Sequence, residues 1–298
     1  GTLPPRYYKQ LQKKGIKCAA FNPFRPLLSV IMNNRDHRKI FVVDGAVGFT
    51  GGINLADEYI NKKVRFGHWK DTAIKIEGDA VQSFTMMFLQ MWNITERQPE
   101  DYAKYLTEKQ PGFSRKDGYI IPYGDSPFDH ENVGEEVYFH ILNHAKKYVH
   151  IMTPYLILDN EMIDALTRAA KGGIEVQIIM PHIPDKPYAF YLAKTYYEEL
   201  IAGGVEIYEY TPGFVHAKVF TSDDDTATVG SINLDYRSLY HHFENGCFMV
   251  DCPAVMDIKH DFRHTFSQCR DVTEKYKTGL GAHLRLGQLI LRLFAQLM

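Results

Sequence analysis

Two histidine–lysine pairs hold most of the chemical capacity of this chain. His37 and Lys39 are followed by Asp44, Gly51-Gly52 and Asn54; His216 and Lys218 are followed, at the same spacings, by Asp223, Gly230-Ser231 and Asn233. In an extended strand side chains alternate faces, so a histidine and a lysine two apart project together and set a nucleophile or base beside a cation. Two imidazoles, two ammonium groups and two carboxamides pooled in one site suit a phosphodiester. One imidazole attacks phosphorus, while the other protonates the leaving alkoxide and then deprotonates the incoming alcohol. Lys39, Lys218, Asn54 and Asn233 are expected to hold the non-bridging oxygens as charge builds. Gly52 and Ser231 are expected to add phosphate-binding backbone N–H groups. No metal or other cofactor is called for, because the cations are built in. Asp44 and Asp223 fall on predicted hairpin turns and are expected to fix those turns rather than touch substrate.

The spacing identity is a repeat. HRKIFVVDGAVGFTGGINLADEY, beginning at His37, lies 179 positions before HAKVFTSDDDTATVGSINLDYRS, beginning at His216, with no gap needed. RYYKQLQKKGIKC (6 to 18) parallels TYYEELIAGGVEI (195 to 207) at an offset of 189, so the first copy carries about ten extra residues between helix and motif. Each copy reads as a helix, a short strand, a loop and a β-hairpin turning at Asp44-Gly45 or at Asp223 to Asp225. Upstream of the second motif, KKYVHIMTPYLI reads as a buried strand, NEMIDALTRAAKGG as a helix with a glycine cap and IEVQIIMP as another strand. The fold class is therefore α/β: two pseudo-symmetric halves, each a mixed sheet flanked by helices. The first half is expected over residues 1–125 with its motif region at 31–58, the second over 126–298 with its motif region at 210–237. Only 36 residues precede His37. That predicts a first half truncated at its N-terminus by one strand-helix-strand unit.

With 298 residues, 45% of them apolar, the chain can bury a large core. A formal charge of −2 offers no basic face for a nucleic-acid backbone, so no nucleic-acid partner is expected. Cys18, Cys247, Cys252 and Cys269 are too scattered for a disulfide framework or a zinc site and read as free thiols of a reducing compartment. No apolar run reaches the roughly 18 residues of a membrane-spanning helix. The C-terminal HLRLGQLILRLFAQLM reads as an apolar helix that packs on the core or lies in a membrane interface.

The motifs resemble the HKD (phospholipase D) superfamily. The residues around them are similar to its cardiolipin synthase branch, in NNRDHRKIFVVDGAVGFTGGINLADEY, HWKDTAIKIEGDAV, TYYEELIAGGVEIYEYTPGFVHAKVF and ATVGSINLDYRSLYHHFENG. The resemblance covers nearly the whole chain. It implies two halves sharing one site about a pseudo-two-fold axis, and an enzyme of the bacterial cytoplasmic membrane, its active domain facing the cytoplasm. Such an enzyme joins two phosphatidylglycerol molecules into cardiolipin and releases glycerol. Phosphatidylglycerol, other membrane phospholipids and the membrane surface would be its partners. By the same resemblance His37 forms a phosphatidyl-histidine intermediate and His216 acts as acid and then base. Asp71 in WKDT and Glu244 in FENG match the family's histidine-orienting carboxylates, in crossed pairing: Glu244 to His37, Asp71 to His216.

Three rival activities fit the same residues less well: a phospholipase D-type hydrolase, a nuclease of the superfamily, and an inactive, membrane-associated binding module. His140 with His144 and His260 with His264 have the four-residue spacing of zinc ligands but lack partner carboxylates or thiolates, and read as surface histidines. His241 and His242, beside Glu244, are candidates to face substrate. Tyr119, Tyr123, Tyr155, Tyr188 and Tyr191 read mainly as packing residues.

Overall fold

A computed structural model describes residues 3–22, 34–96, 99–106, 118–277, 291–293 and 295. The first half opens with α1 (Tyr7–Lys13), then a hairpin of β1 (Phe41–Val43) and β2 (Val47–Gly51), then β3 (His68–Lys70), β4 (Ala73–Glu77) and α2 (Ala80–Thr95). β2 lies between β1 and β4 in a three-stranded antiparallel sheet. α2 closes one face of it, with Val81 and Phe84 buried against Ile76, Ile74 and Val42.

The chain continues through β5 (Tyr119–Asp125), α3 (Val133–His144), β6 (Tyr148–Met152), α4 (Asn160–Lys171), β7 (Glu175–Pro181) and α5 (Pro187–Ala202). It then runs through β8 (Glu206–Tyr210), β9 (Gly213–Val215), the hairpin of β10 (Val219–Ser222) and β11 (Thr226–Gly230), a single π-helical turn (Arg237–His241) and β12 (Glu244–Val250). α6 (Pro253–Phe266), β13 (Cys269–Asp271) and α7 (Thr273–Tyr276) follow. Eight of these strands form one mixed sheet in the order β13-β8-β7-β6-β10-β11-β12-β5. The β6, β7 and β8 pairings are parallel, as the strand-helix-strand pattern requires, and the rest are antiparallel. α3, α4 and α5 cover one face through Leu142, Leu166, Leu192 and Leu200, and α6 covers the other through Val255, Ile258 and Phe262. A parallel run buried on both faces explains why β6 and β7 read as almost continuous apolar stretches. β5 hydrogen-bonds to β12 along its whole length, so this strand of the first 125 residues is built into the second sheet.

The two hairpins are alike and their surroundings are not. Asp44 and Asp223 both turn the chain at positive φ, 52° and 54°. The outer side of β10 is paired with β6, whereas among the described residues β1 has no strand on its outer side, and Phe41 and Val43 are exposed. A groove of about 720 Å³, lined by Phe41, Val42, Phe88 and Trp92 among others, runs along that side. Leu234 is buried and bridges to Leu156, while its repeat partner Leu55 is fully exposed.

Most of the apolar C-terminal stretch lies outside the described residues. Of the rest, Leu291 and Ala295 pack on the main core, and Arg292 donates to the Thr195 carbonyl and pairs with Glu199 on α5. Among the described residues no helix is long and apolar enough to cross a membrane.

Candidate active site

Two short parallel strand contacts between the halves bring the motifs together. β3 pairs in parallel with β9, Lys70 opposite Val215, and the His216 N–H donates to the Lys70 carbonyl at 2.7 Å. The next residue on β3's side is Asp71, beside His216. In the other direction Asp36 bridges Phe243 in parallel, and the His37 N–H donates to the Phe243 carbonyl at 2.9 Å. The next residue there is Glu244, beside His37. The same construction is thus used twice, each half lending its carboxylate to the histidine of the other.

The side chains complete the relation. His37 Nδ1 lies 2.8 Å from Glu244 Oε1, and His216 Nδ1 lies 2.8 Å from Asp71 Oδ2. A carboxylate accepts, so each Nδ1 carries the proton and each Nε2 is left with its lone pair. Glu244 is wholly buried and also accepts from Ser231 Oγ and from Ser238 Oγ at 2.8 Å. Asp71 accepts from the Thr72 N–H at 2.9 Å and from Trp69 Nε1 at 3.4 Å. Burial would raise both carboxyls, but each is held below the usual range first by its partner histidine, then by the neighbouring lysine, with His242 beside Glu244 and the Thr72 N–H on Asp71 adding to it. Burial in turn lowers both histidines, further aided at His216 by the Lys218 ammonium, so neutral imidazole is the resting form.

Lys39 and Lys218 lie, like their histidines, in extended chain just before β1 and β10 rather than within the strands. Each ammonium donates to the carbonyl of its own motif histidine. Burial pushes Lys39 down to about 8 and Lys218 down to about 7. Lys39 also acts on His216, and Lys218 on His37, so the two halves share one electrostatic site.

Two expectations need correction. Gly52 and Ser231 do not present free N–H groups to a phosphate: Gly52 N–H donates to the Thr72 carbonyl at 3.0 Å, and Ser231 N–H to the Asn245 carbonyl at 2.9 Å. Both positions support the carboxylates instead. A Cβ on Gly52 would stand 2.1 Å from Asp71 Oδ1, so only glycine lets Asp71 reach His216. The Asp223 carboxylate does act on backbone, but on the entrance to β6: it accepts from the N–H groups of Lys146, Lys147 and Tyr148 at 2.6 to 3.1 Å. Asp44 makes no such bond among the described residues. Asn54 donates to Tyr59 Oη at 2.6 Å, and Asn233 is buried with its Oδ1 unpartnered.

Tyr59, Trp69 and Ser238 were not expected at the site. The Tyr59 and Trp69 rings stand 5.3 and 5.2 Å from the His216 ring. Both lie inside the stretches that carry the resemblance, but their spacing does not mark them as site residues; Trp69 reaches His216 through the pairing of β3 with β9. His37, His242 and Glu244 each bring a potential metal-ligand atom within 4.8 Å of the others. His37 and Glu244 spend theirs on each other, and His242 stands beside them with its Nδ1 3.8 Å from Glu244 Oε1.

Residues 138–267 match the family model described as cardiolipin synthase, phospholipase D-like domain. The chain belongs to the phospholipase D superfamily. It is 55% identical over its full length to an uncharacterized protein of Streptococcus mutans, of which it spans 64%, and 35% identical over 99% of its length to cardiolipin synthase 2 of Bacillus cereus, of which it spans 58%. The chain thus spans less than two thirds of these relatives. Its fold is also that of the phosphatidylserine synthase of Haemophilus influenzae, with a TM-score of 0.65, 14% identity, and 88% of this chain and 69% of the other covered.

Proposed function

We propose that the chain is the catalytic part of a phosphatidyltransferase that makes cardiolipin from two phosphatidylglycerol molecules. The observation that carries this reading is the pair of cross-oriented histidines, each with Nδ1 held by a buried carboxylate and Nε2 available. His37 Nε2 attacks the donor phosphorus, and the bond from phosphorus to the glycerol headgroup oxygen breaks. His216 delivers a proton to that oxygen, and glycerol leaves. A hydroxyl of the second phosphatidylglycerol then gives its proton to His216 Nε2 and attacks phosphorus, and the bond to His37 breaks. The first step needs His216 protonated on Nε2 as well: neutral at rest, it takes that proton from solvent as the anionic phosphodiester binds beside it and raises its basicity, and the second step returns the proton to it. Lys39, Lys218 and Asn54 face the phosphoryl oxygens. The similarity to a Bacillus cereus cardiolipin synthase supports a lipid substrate presented at a membrane surface.

The test uses the protein at its natural length with headgroup- and acyl-labelled phosphatidylglycerol in vesicles. Cardiolipin and free glycerol in equal amounts are expected, with wild type quenched in denaturing detergent at neutral pH carrying labelled lipid on His37. Phosphatidic acid as sole lipid product overturns the transferase reading in favour of hydrolysis, and labelled protein in His37→Ala overturns the assignment of the nucleophile.

A further inference from the structure

The two histidine–carboxylate pairs have matching companions. Trp69 stands two residues before Asp71, and His242 two residues before Glu244. The Trp69 ring lies 5.2 Å from the His216 ring at 43°, and the His242 ring 5.7 Å from the His37 ring at 46°. Trp69 Nε1 points at Asp71 Oδ2, the oxygen that also takes His216, from 3.4 Å. His242 Nδ1 stands 3.8 Å from Glu244 Oε1, the oxygen closest to His37. That Nδ1 is buried and without a hydrogen-bond partner. A buried nitrogen with no partner is costly unless the working state supplies one, and bonds that are long at rest commonly tighten once substrate is bound.

We infer that His242 is a positioning residue for His37, doing for Glu244 with an imidazole what Trp69 does for Asp71 with an indole. It offers Glu244 a further N–H donor and braces the His37 ring, so that Nδ1 stays on the carboxylate and Nε2 stays toward phosphorus. The inference rests on the phosphatidyltransfer reading for its catalytic consequence, but not for its physical basis. The backbone holds the ring in place, since the His242 N–H donates to the Arg237 carbonyl at 2.9 Å, closing the π-helical turn, and Phe243 then joins the strand contact that carries His37. The titratable groups that face His242 are Glu244, His37 and Asp235; those facing His37 are Glu244, Lys39, Lys218, Asp235 and His242 itself.

The direction of the effect follows from charge sharing. An N–H from His242 takes up part of the Glu244 charge. Without it the carboxylate acts more fully on His37 and favours the imidazolium, so the neutral nucleophile is lost at a higher pH. Asparagine places an amide N–H near the position of histidine Nδ1, whereas glutamine places it near Nε2, and phenylalanine offers none. The experiment is an NMR titration of the His37 ring, assigned by its absence in His37→Asn, in wild type, His242→Phe, His242→Gln and His242→Asn, with kcat and KM measured on phosphatidylglycerol vesicles. In His242→Phe and His242→Gln the His37 midpoint is expected to rise by about half a pH unit. In both variants kcat is expected to fall by roughly 10-fold at unchanged KM, with His242→Asn close to wild type. His242→Gln keeps the question answerable should the phenylalanine variant fail to fold. An unmoved His37 midpoint in His242→Gln, or an asparagine variant as impaired as the glutamine one, overturns the inference. A wild type that turns over no lipid counts against the transferase reading alone, since the titration still decides the role of His242.

Discussion

Asp71, at the end of a first-half strand, binds His216 of the second half through a 2.8 Å contact that ordinary packing would not produce, because it depends on a glycine at position 52 to let the carboxylate through. Neither half therefore holds a complete histidine–carboxylate pair. Replacing Asp71 with Asn should leave the fold in place and let the amide stabilise the wrong His216 tautomer, lowering kcat by about 10³-fold with little change in KM. Gly52→Ala should do similar damage by displacing Asp71. Steady-state kinetics on phosphatidylglycerol vesicles checks both, and a Gly52→Ala enzyme with wild-type kcat would show that the close approach does not matter.

The pH profile should be set on its alkaline side by the lysines. Both are depressed by burial, to about 8 for Lys39 and about 7 for Lys218, so the cationic form that holds phosphate is lost as pH rises through that range in the free enzyme. The value of kcat/KM is expected to fall from about pH 7, where Lys218 loses its charge, and more steeply above about pH 8, where Lys39 follows, and the bound phosphodiester should move the corresponding fall in kcat to higher pH. Lys39→Arg, which keeps its charge, should leave the onset set by Lys218 and make the fall of kcat/KM above about pH 8 shallower, even if it lowers the maximum. An unchanged steepness there would remove Lys39 from the substrate-binding charge.

Much of this was legible in the sequence because it is local or repeated. The stripe of Tyr196, Tyr197 and Leu200 is buried on α5, the glycine cap ends α4 at Gly172, and the hairpins turn where Asp44 and Asp223 stand. The site's interior was less legible, since it is made by distant chain. Gly52 and Ser231 looked like anion-binding backbone because their acceptors, the carbonyls of Thr72 and Asn245, are set only by folding. Crossed carboxylates followed from a family resemblance rather than from spacing. The relation of Trp69 to His242 was invisible, because two aromatic rings of different chemistry gain equal positions only once the two strand contacts between the halves are made.

Asp223 should act on stability rather than on turnover. Its carboxylate accepts three backbone N–H groups at the entrance of β6, and its own φ is positive. Asp223→Ala should cost about 2 kcal/mol of stability, from the lost acceptor and the strained backbone together, while Asp223→Asn should cost less than half of that. Asp44→Ala lacks the three-donor loss and should cost no more than about 1 kcal/mol. Urea unfolding would measure all three, and equal losses at Asp44 and Asp223 would refute this account.

A second buried acid cluster should reveal itself in stability rather than turnover. Glu135, at the start of α3, and Asp159, the N-cap of α4, both lie within hydrogen-bond reach of Tyr240 Oη, whose single proton can serve one of them at a time. Burial first, and then the Asp159 charge, push Glu135 up to about 8. The unfolded chain releases this proton near pH 4.5 and the folded protein keeps it to about 8, so the folded state loses stability as pH rises between those values and regains none above them. Glutamine in place of Glu135 can still accept from Tyr240 and donate to Asp159 while carrying no charge. Glu135→Gln should therefore match wild type near pH 5 and exceed it near pH 8.5, by about 1 kcal/mol or some 2 °C in Tm. Thermal unfolding across that range checks it; an unchanged gap between variant and wild type at the two pH values would mean that Glu135 is ionised in the folded protein throughout.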